Sequence, residues 1–157
     1  MPAIYALLVG INNYPVKPLQ GCINDVKAVK EYLENIYRDT SLTIKTLTDD
    51  DTILPTRQNL IEAFDFFSQA KTGDYCLFYY SGHGSFSKAP DEINTSDGNI
   101  QSIVCIDSRL PGGKDLMDKE IGYLIWKTVQ KTPDINFIAI TDCCHSGTIT
   151  KEFLDDS

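Results

Sequence analysis

Apolar runs alternate with amphipathic stretches along this chain, and the alternation predicts its elements in order. Ala3 to Val9 is a continuous apolar run closed by Gly10, the pattern of a buried central strand. Asn12, Asn13, Pro15 and Pro18 then make a loop. Val26, Val29, Leu33 and Ile36 recur at helical spacing, which predicts a helix ending near Tyr37, with Asn24 or Asp25 placed to accept its first free N–H groups. Leu42 to Leu47 alternates with Thr and Lys, as a strand with one partly exposed face does, and the three aspartates of 48–52 read as a solvated turn. Pro55 and Thr56 open a second helix with Leu60, Phe64 and Phe67 on its inner face. Lys71 to Asp74 ends it and leads into a third strand, Tyr75 to Tyr80. Residues 85–101 are polar and aperiodic, which predicts a long loop. A short strand over Ser102 to Ile106, a loop at Pro111-Gly112-Gly113, and a third helix carrying Ile121, Leu124, Ile125 and Val129 follow. Pro133 stops that helix before a last apolar strand from Ile135, expected to be buried on both faces. The β-α-β-α-β order predicts an α/β fold with a parallel sheet and right-handed crossovers.

Composition narrows the class. A chain of 157 residues is sized for one domain, 1–157, and 42% hydrophobic with 23% charged residues suits a soluble globular protein. No apolar run reaches the roughly 20 residues of a membrane span, and Met1-Pro2-Ala3 lacks the basic flank of a signal peptide, so no membrane contact and a cytoplasmic location are expected. Five cysteines, an odd number without framework spacing, argue for reduced thiols, with Cys22, Cys76 and Cys105 as buried small hydrophobes. A formal charge of −8 disfavours a nucleic-acid partner, because phosphate binding needs a basic surface. It favours a cationic ligand or substrate segment.

Two strand ends carry the candidate chemistry. The last strand runs into Asp142-Cys143-Cys144-His145-Ser146-Gly147, and the third into Ser81-Gly82-His83-Gly84. Ligands of open α/β sheets bind at the carboxyl edge, where both clusters are expected. A thiol is a strong nucleophile only as thiolate, so a catalytic cysteine needs a base, and His83 is the base at the neighbouring strand end. Gly82, Gly84 and Gly147 let the backbone come close to a ligand, and turns there can aim N–H groups at an oxyanion. Strand alternation would turn one of Cys143 and Cys144 into the packed layer and the other toward the opening, without saying which. A zinc site built from Cys143, Cys144, His145 and His83 is disfavoured, since adjacent cysteines fit two tetrahedral positions poorly and no second spaced pair exists.

These motifs resemble the caspase-like cysteine peptidases, specifically the metacaspase and bacterial caspase-like branch. Phe78-Tyr79-Tyr80-Ser81-Gly82-His83-Gly84 is similar to the histidine motif of that branch, and Asp142-Cys143-Cys144-His145-Ser146-Gly147 to its Asp-Ser-Cys-His-Ser-Gly motif, with Cys143 for Ser. Gly21-Cys22-Ile23-Asn24-Asp25 resembles its Gly-Cys-x-x-Asp segment. The resemblance implies a caspase-like three-layer sandwich, a mostly parallel central sheet with helices on both faces. It implies Cys144 as nucleophile, His83 as its proton partner and the N–H groups of Gly84 and Cys144 as oxyanion donors. The Gln-Ala signature of true caspases is not matched, so aspartate specificity is not carried over. The metacaspase branch selects Arg or Lys in an acidic pocket, which implies Asp25 and Asp142 as its carboxylates, with Cys22 and Ser81 lining it. A helix N-cap is the plainer role for Asp25.

Calcium-dependent relatives collect carboxylates at three places where this chain has Asp97, then Asp118-Lys119, then Lys151. Two cations among hard-ion ligands repel Ca²⁺, so no metal or other cofactor is expected. The chain stops 13 residues after Cys144, whereas the family fold continues, so this is expected to be a large-subunit region. Its expected partners are peptide or protein substrates with basic residues and its own C-terminal subunit or a regulatory domain. Other readings are a non-catalytic caspase-like interaction module, a fragment inactive without its C-terminal part, and a nucleotide-binding doubly wound domain. The last is weakened because Gly10-Ile11-Asn12-Asn13 lacks a phosphate loop and its lysine.

Overall fold

β1 (Ile4–Gly10) is fully buried from Ala6 onward because it lies between two strands and two layers of helix. The computed structural model describes residues 1–88 and 99–144, the side chains of Ser87 and Cys144 excepted. The other elements are α1 (Cys22–Ile36), β2 (Leu42–Thr48), α2 (Arg57–Ala63) with a 3-10 extension (Phe64–Gln69), β3 (Tyr75–Lys88), β4 (Asn99–Ile103), β5 (Leu116–Met117), α3 (Asp118–Lys131) and β6 (Asn136–Cys144). β1 pairs in parallel with β2 and β3, and β6 pairs in parallel with the other edge of β3. Val104 N–H donates to the His83 carbonyl, and β3 then pairs antiparallel with β4, which pairs antiparallel with β5. The expected parallel sheet is therefore only part of a mixed one.

Strand alternation sorts the side chains into two cores. Leu7, Val9, Phe78 and Tyr80 pack with Leu60, Phe64, Phe67 and Ile121 of the α2 and α3 layer, while Ala6, Leu8 and Tyr79 pack with Val26 and Leu33 of α1. Helices thus cover both faces, the three-layer arrangement expected.

Four local expectations are corrected. The N-cap of α1 is Gly21, and no side chain caps it; Asp25 sits inside the first turn with its carboxylate accepting from Ser81. The aspartates after β2 are not merely solvated: Asp51 accepts from the Thr48 N–H and hydroxyl, and one Asp49 oxygen accepts the N–H groups of Asn12 (2.7 Å) and Asn13 (2.6 Å). Residues 85–88 and 99–101 belong to β3 and β4 rather than to a loop, and the short strand ends at Ile103 rather than Ile106. Residues 89–98 of the expected loop lie outside those described. Finally, β6 is not buried on both faces. Ile138 and Ile140 are 49% and 47% exposed, because α1 covers the β1 side of the sheet and no described helix packs on their face of β6, whereas Phe137 on the other face meets Phe67.

The contact between β1 and α1 leaves no room at Gly10, where a Cβ would stand 2.7 Å from Val26 Cγ2 and 3.0 Å from the Cys22 carbonyl oxygen. Gly10→Ala should lower unfolding stability by about 1–3 kcal/mol through overpacking, measured by chemical denaturation. A change below about 0.5 kcal/mol would mean that α1 does not sit this close.

Candidate active site

β3 does not turn after Tyr80; it runs straight through Ser81-Gly82-His83-Gly84 to Lys88. Among the described glycines only Gly73 and Gly112 have positive φ, so neither Gly82 nor Gly84 is there for a turn. They are there for space. A Cβ on Gly82 would lie 2.5 Å from the Tyr80 hydroxyl and 2.6 Å from that of Tyr14, and one on Gly84 would lie 2.9 Å from Cys143 Sγ. What comes close to these glycines is the protein's own side chains.

His83 is 3% exposed. Its Nε2 lies 2.6 Å from the Lys17 carbonyl oxygen, and since a carbonyl only accepts, Nε2 carries the proton. Nδ1 is then the lone-pair nitrogen, and it is buried without a hydrogen-bond partner among the described residues. Burial lowers the pKa of the ring below its ordinary 6.5. The Lys17 hydrogen bond opposes that shift, and the charges of Lys17 and Arg109 add to it. The ring is neutral at pH 7, with a basic nitrogen left open. The loop that supplies Lys17 is tied down by Asp49 and by the Cys22 N–H, which donates to Asn12 Oδ1 (2.9 Å). Lys17 itself has φ 53, in the left-handed region that a non-glycine residue seldom adopts, and its carbonyl meets the ring.

The β3–β6 register makes Cys144 the Cα partner of His83, the last of the parallel pairs. Cys143 is half-buried, packs against the α2/α3 core and stands against Gly84. The other thiols are different: burial pushes Cys76 up to about 11 and Cys105 up to about 12, so both stay protonated. His83 directs both its N–H and its carbonyl toward Tyr14 and Val104, away from β6. Peptide alternation therefore turns the next N–H, that of Gly84, to the β6 edge.

On the α1 face the acidic residues converge. The Ser81 hydroxyl donates to Asp25 Oδ2 (2.9 Å), and Ser81 is the Cα partner of Asp142. Burial raises the Tyr79 hydroxyl above its ordinary pKa, and the nearby charges of Asp25 and Asp142 raise it further. Cys22 is buried beside the same group, Asp25 is half-buried and Asp142 is exposed. Cys22, Asp25, Ser81 and Asp142 thus lie together, with Ser81 and Asp142 two residues before His83 and Cys144 along β3 and β6.

Residues 5–152 match the metacaspase, peptidase C14 domain. The chain belongs to this family. Curated relatives include metacaspase-1 of Ajellomyces capsulatus, 35% identical over 147 residues that cover 90% of this chain and 40% of the relative. Metacaspase-1 of Mycosarcoma maydis is 37% identical over 150 residues, 91% of this chain and 35% of the relative. The chain thus spans between a third and two-fifths of the length of these metacaspases. A crystal structure of a Geobacter sulfurreducens protein superposes with a TM-score of 0.64 at 24% identity, over 94% of this chain and 52% of the other, and shares its fold.

Several expected residues fall outside the described ones: Asp97, His145, Gly147 and Lys151. Among the described residues no helix is long and apolar enough to cross a membrane. Tyr14, Lys17 and Tyr79 are the site neighbours that reading the sequence missed. Tyr79 stood inside the quoted motif and could have been flagged; a backbone carbonyl such as that of Lys17 leaves no trace in residue type.

The unfolded chain binds a proton at His83 near pH 6.5, whereas the folded one binds it only at lower pH. Stability from this group is therefore complete above pH 6.5 and is lost as pH falls from there through the folded-state pKa. Histidine NMR should show one of the two histidines, absent in His83→Asn, titrating below 6.5. A titration at or above 6.5 would contradict the buried neutral ring.

Proposed function

We propose that this chain is the catalytic region of a cysteine endopeptidase that cleaves after Arg or Lys. The observation that carries the reading is the pairing of Cys144 with His83 at the end of two parallel strands, beside a neutral imidazole whose Nδ1 is uncommitted. Alternation supports Cys144 rather than Cys143 as the nucleophile: Cys143 belongs to the core face, which leaves the His83 face to its neighbour. In the proposed reaction Nδ1 takes the thiol proton and the thiolate attacks the scissile carbonyl. The resulting imidazolium, steadied at Nε2 by the Lys17 carbonyl, protonates the departing amine, and water then hydrolyses the thioester. The N–H groups of Gly84 and Cys144 receive the oxyanion. An open Nδ1 at such a position speaks for catalysis over a non-catalytic interaction module.

Arg or Lys selectivity rests on Asp25 and Asp142, with Cys22, Ser81 and Tyr79 between or beside them. Two carboxylates facing one desolvated cation offset its desolvation, and an Asp side chain there would meet like charge. Asp142 is exposed among the described residues, and so are Ile138 and Ile140 on the same face of β6. A C-terminal continuation, which the longer relatives have length to supply, is the proposed cover for that face and the partner that closes the groove.

Calcium fits poorly. At the start of α3, Asp118 and Lys119 are exposed side by side, while the Glu120 carboxylate is committed to Arg57 and to the Met117 N–H. That is no hard-cation donor set, and no step is assigned to the ion.

The test is a fluorogenic panel with Arg, Lys or Asp before the scissile bond, run on the longest native form of the protein with and without chelator. Arg and Lys substrates should be cleaved and Asp substrates refused, with chelator changing little. Cys144→Ala should abolish turnover and Cys143→Ser should keep most of it. Asp25→Asn or Asp142→Asn should cost roughly 3 kcal/mol in transition-state binding, on the order of a hundredfold in kcat/KM. A preference for Asp, or full Arg cleavage by both Asn variants, would remove the acidic-pocket assignment.

A further inference from the structure

We infer that Tyr14 is a positioning residue for His83, acting through the histidine's backbone as well as through its ring. The inference rests on the peptidase reading for its catalytic consequence, but its structural content is separate. Along the β1 edge of β3, Ile11 N–H donates to the Ser81 carbonyl and Val104 N–H to the His83 carbonyl. β1 ends at Gly10 and the β4 pairing begins at Gly84, so the His83 N–H faces the gap between two strands. The Tyr14 hydroxyl fills that gap and accepts the N–H at 3.0 Å. It also donates to the Val104 carbonyl at 2.8 Å. Tyr80, whose hydroxyl is 3.0 Å from that of Tyr14, donates to the His83 carbonyl at 2.7 Å. Two phenol protons thus serve two carbonyls, and the one N–H without a strand partner has an acceptor. Meanwhile the Tyr14 ring lies against the imidazole, centroids 4.5 Å apart and tilted by 49°.

The consequence is a histidine fixed at three points: its N–H by Tyr14, its carbonyl by Val104 and Tyr80, and its Nε2 by Lys17. Tyr14 and Lys17 lie on one loop, so the same segment that orients the ring also sets its height on the strand. It also gives Gly82 its reason, because any side chain there would push both hydroxyls away. Tyr14 does not move protons itself: burial raises its pKa far above the ordinary value, and the same holds for Tyr80. The charged groups facing His83 are Lys17 and Arg109, and Cys105 beside the two tyrosines stays protonated.

Tyr14→Phe keeps the ring contact and removes the hydroxyl, leaving the His83 N–H without its acceptor. In the full-length protein kcat for an Arg substrate should fall about tenfold with KM within about twofold, as expected when a reacting group is displaced but binding is intact. The His83 titration, read by NMR in a Cys144→Ala background, should move up toward 6.5 as the ring gains freedom and water. Phe67→Leu, in the same core but among Phe64, Phe66 and Phe137 rather than in the Tyr14–Tyr80 hydrogen-bond network, should lower thermal stability without changing kcat or the titration. Wild-type kcat and an unmoved titration in Tyr14→Phe would overturn the inference, as would an equal loss of kcat in Phe67→Leu. A wild-type protein that cleaves nothing would defeat the peptidase reading instead, and the titration alone would then decide the role of Tyr14.

Discussion

β3 is held along both edges at once, and the site depends on that constraint. Its first half is clamped between β1 and β6 in parallel register, and its second half is taken over by β4 on the side where β1 has ended. His83 stands at the handover. There the strand is still paired with β6, which aligns it with Cys144, but on the other edge it has left one strand and not yet joined the next. A buried N–H in such a gap must find an acceptor, since leaving it unpaired costs about 1–3 kcal/mol. The loop after β1 meets that need with Tyr14 and, three residues later, offers the imidazole a carbonyl.

The same economy runs through the α1 face. Asp25 lies in the first turn of α1, where the partial positive charge of the helix end favours a carboxylate. Its position is fixed further by Ser81, and α1 as a whole is fixed by its tight contact at Gly10. Under the proposed acidic-pocket reading, a carboxylate held this way would be oriented before a cationic side chain arrives, so little ordering entropy would be lost on binding. Asp142 enters from β6 by register alone, and its exposure matches that of Ile138 and Ile140 on the same strand face. β6 pairs only with β3 among the described strands, and its exposed stretch 138–142 includes Asp142 as well as Ile138 and Ile140.

How much of this could be read from residues varies with the kind of force involved. The strands β1 and β2, the helices and the two cores follow apolar periodicity, which burial writes directly into the sequence. The extension of β3 through Ser81-Gly82-His83-Gly84 was not legible, because these residues have weak strand propensity and tertiary pairing overrode it. Nor was the exposure of β6: an apolar run records that a strand will be covered, not by which segment. Cys144, His83 and the Asp pair were marked as candidates through motif resemblance, and the geometry adds that Cys143 packs against the core and that His83 Nδ1 has no hydrogen-bond partner among the described residues. Tyr14 and Lys17 were read only as loop, since a hydroxyl that serves the backbone and a backbone carbonyl that serves a ring have no pattern along the chain.

The proposed nucleophile is Cys144, with His83 Nδ1 as its base. Alkylation of the full-length protein with a substrate-like halomethyl ketone bearing Arg, followed by peptide mapping of the thioether, measures this most directly. A single adduct on Cys144 is expected, lost in His83→Ala, while Cys22, Cys76, Cys105 and Cys143 stay unmodified. Labelling of Cys143 in place of Cys144, or labelling of Cys144 that does not depend on His83, would contradict this assignment.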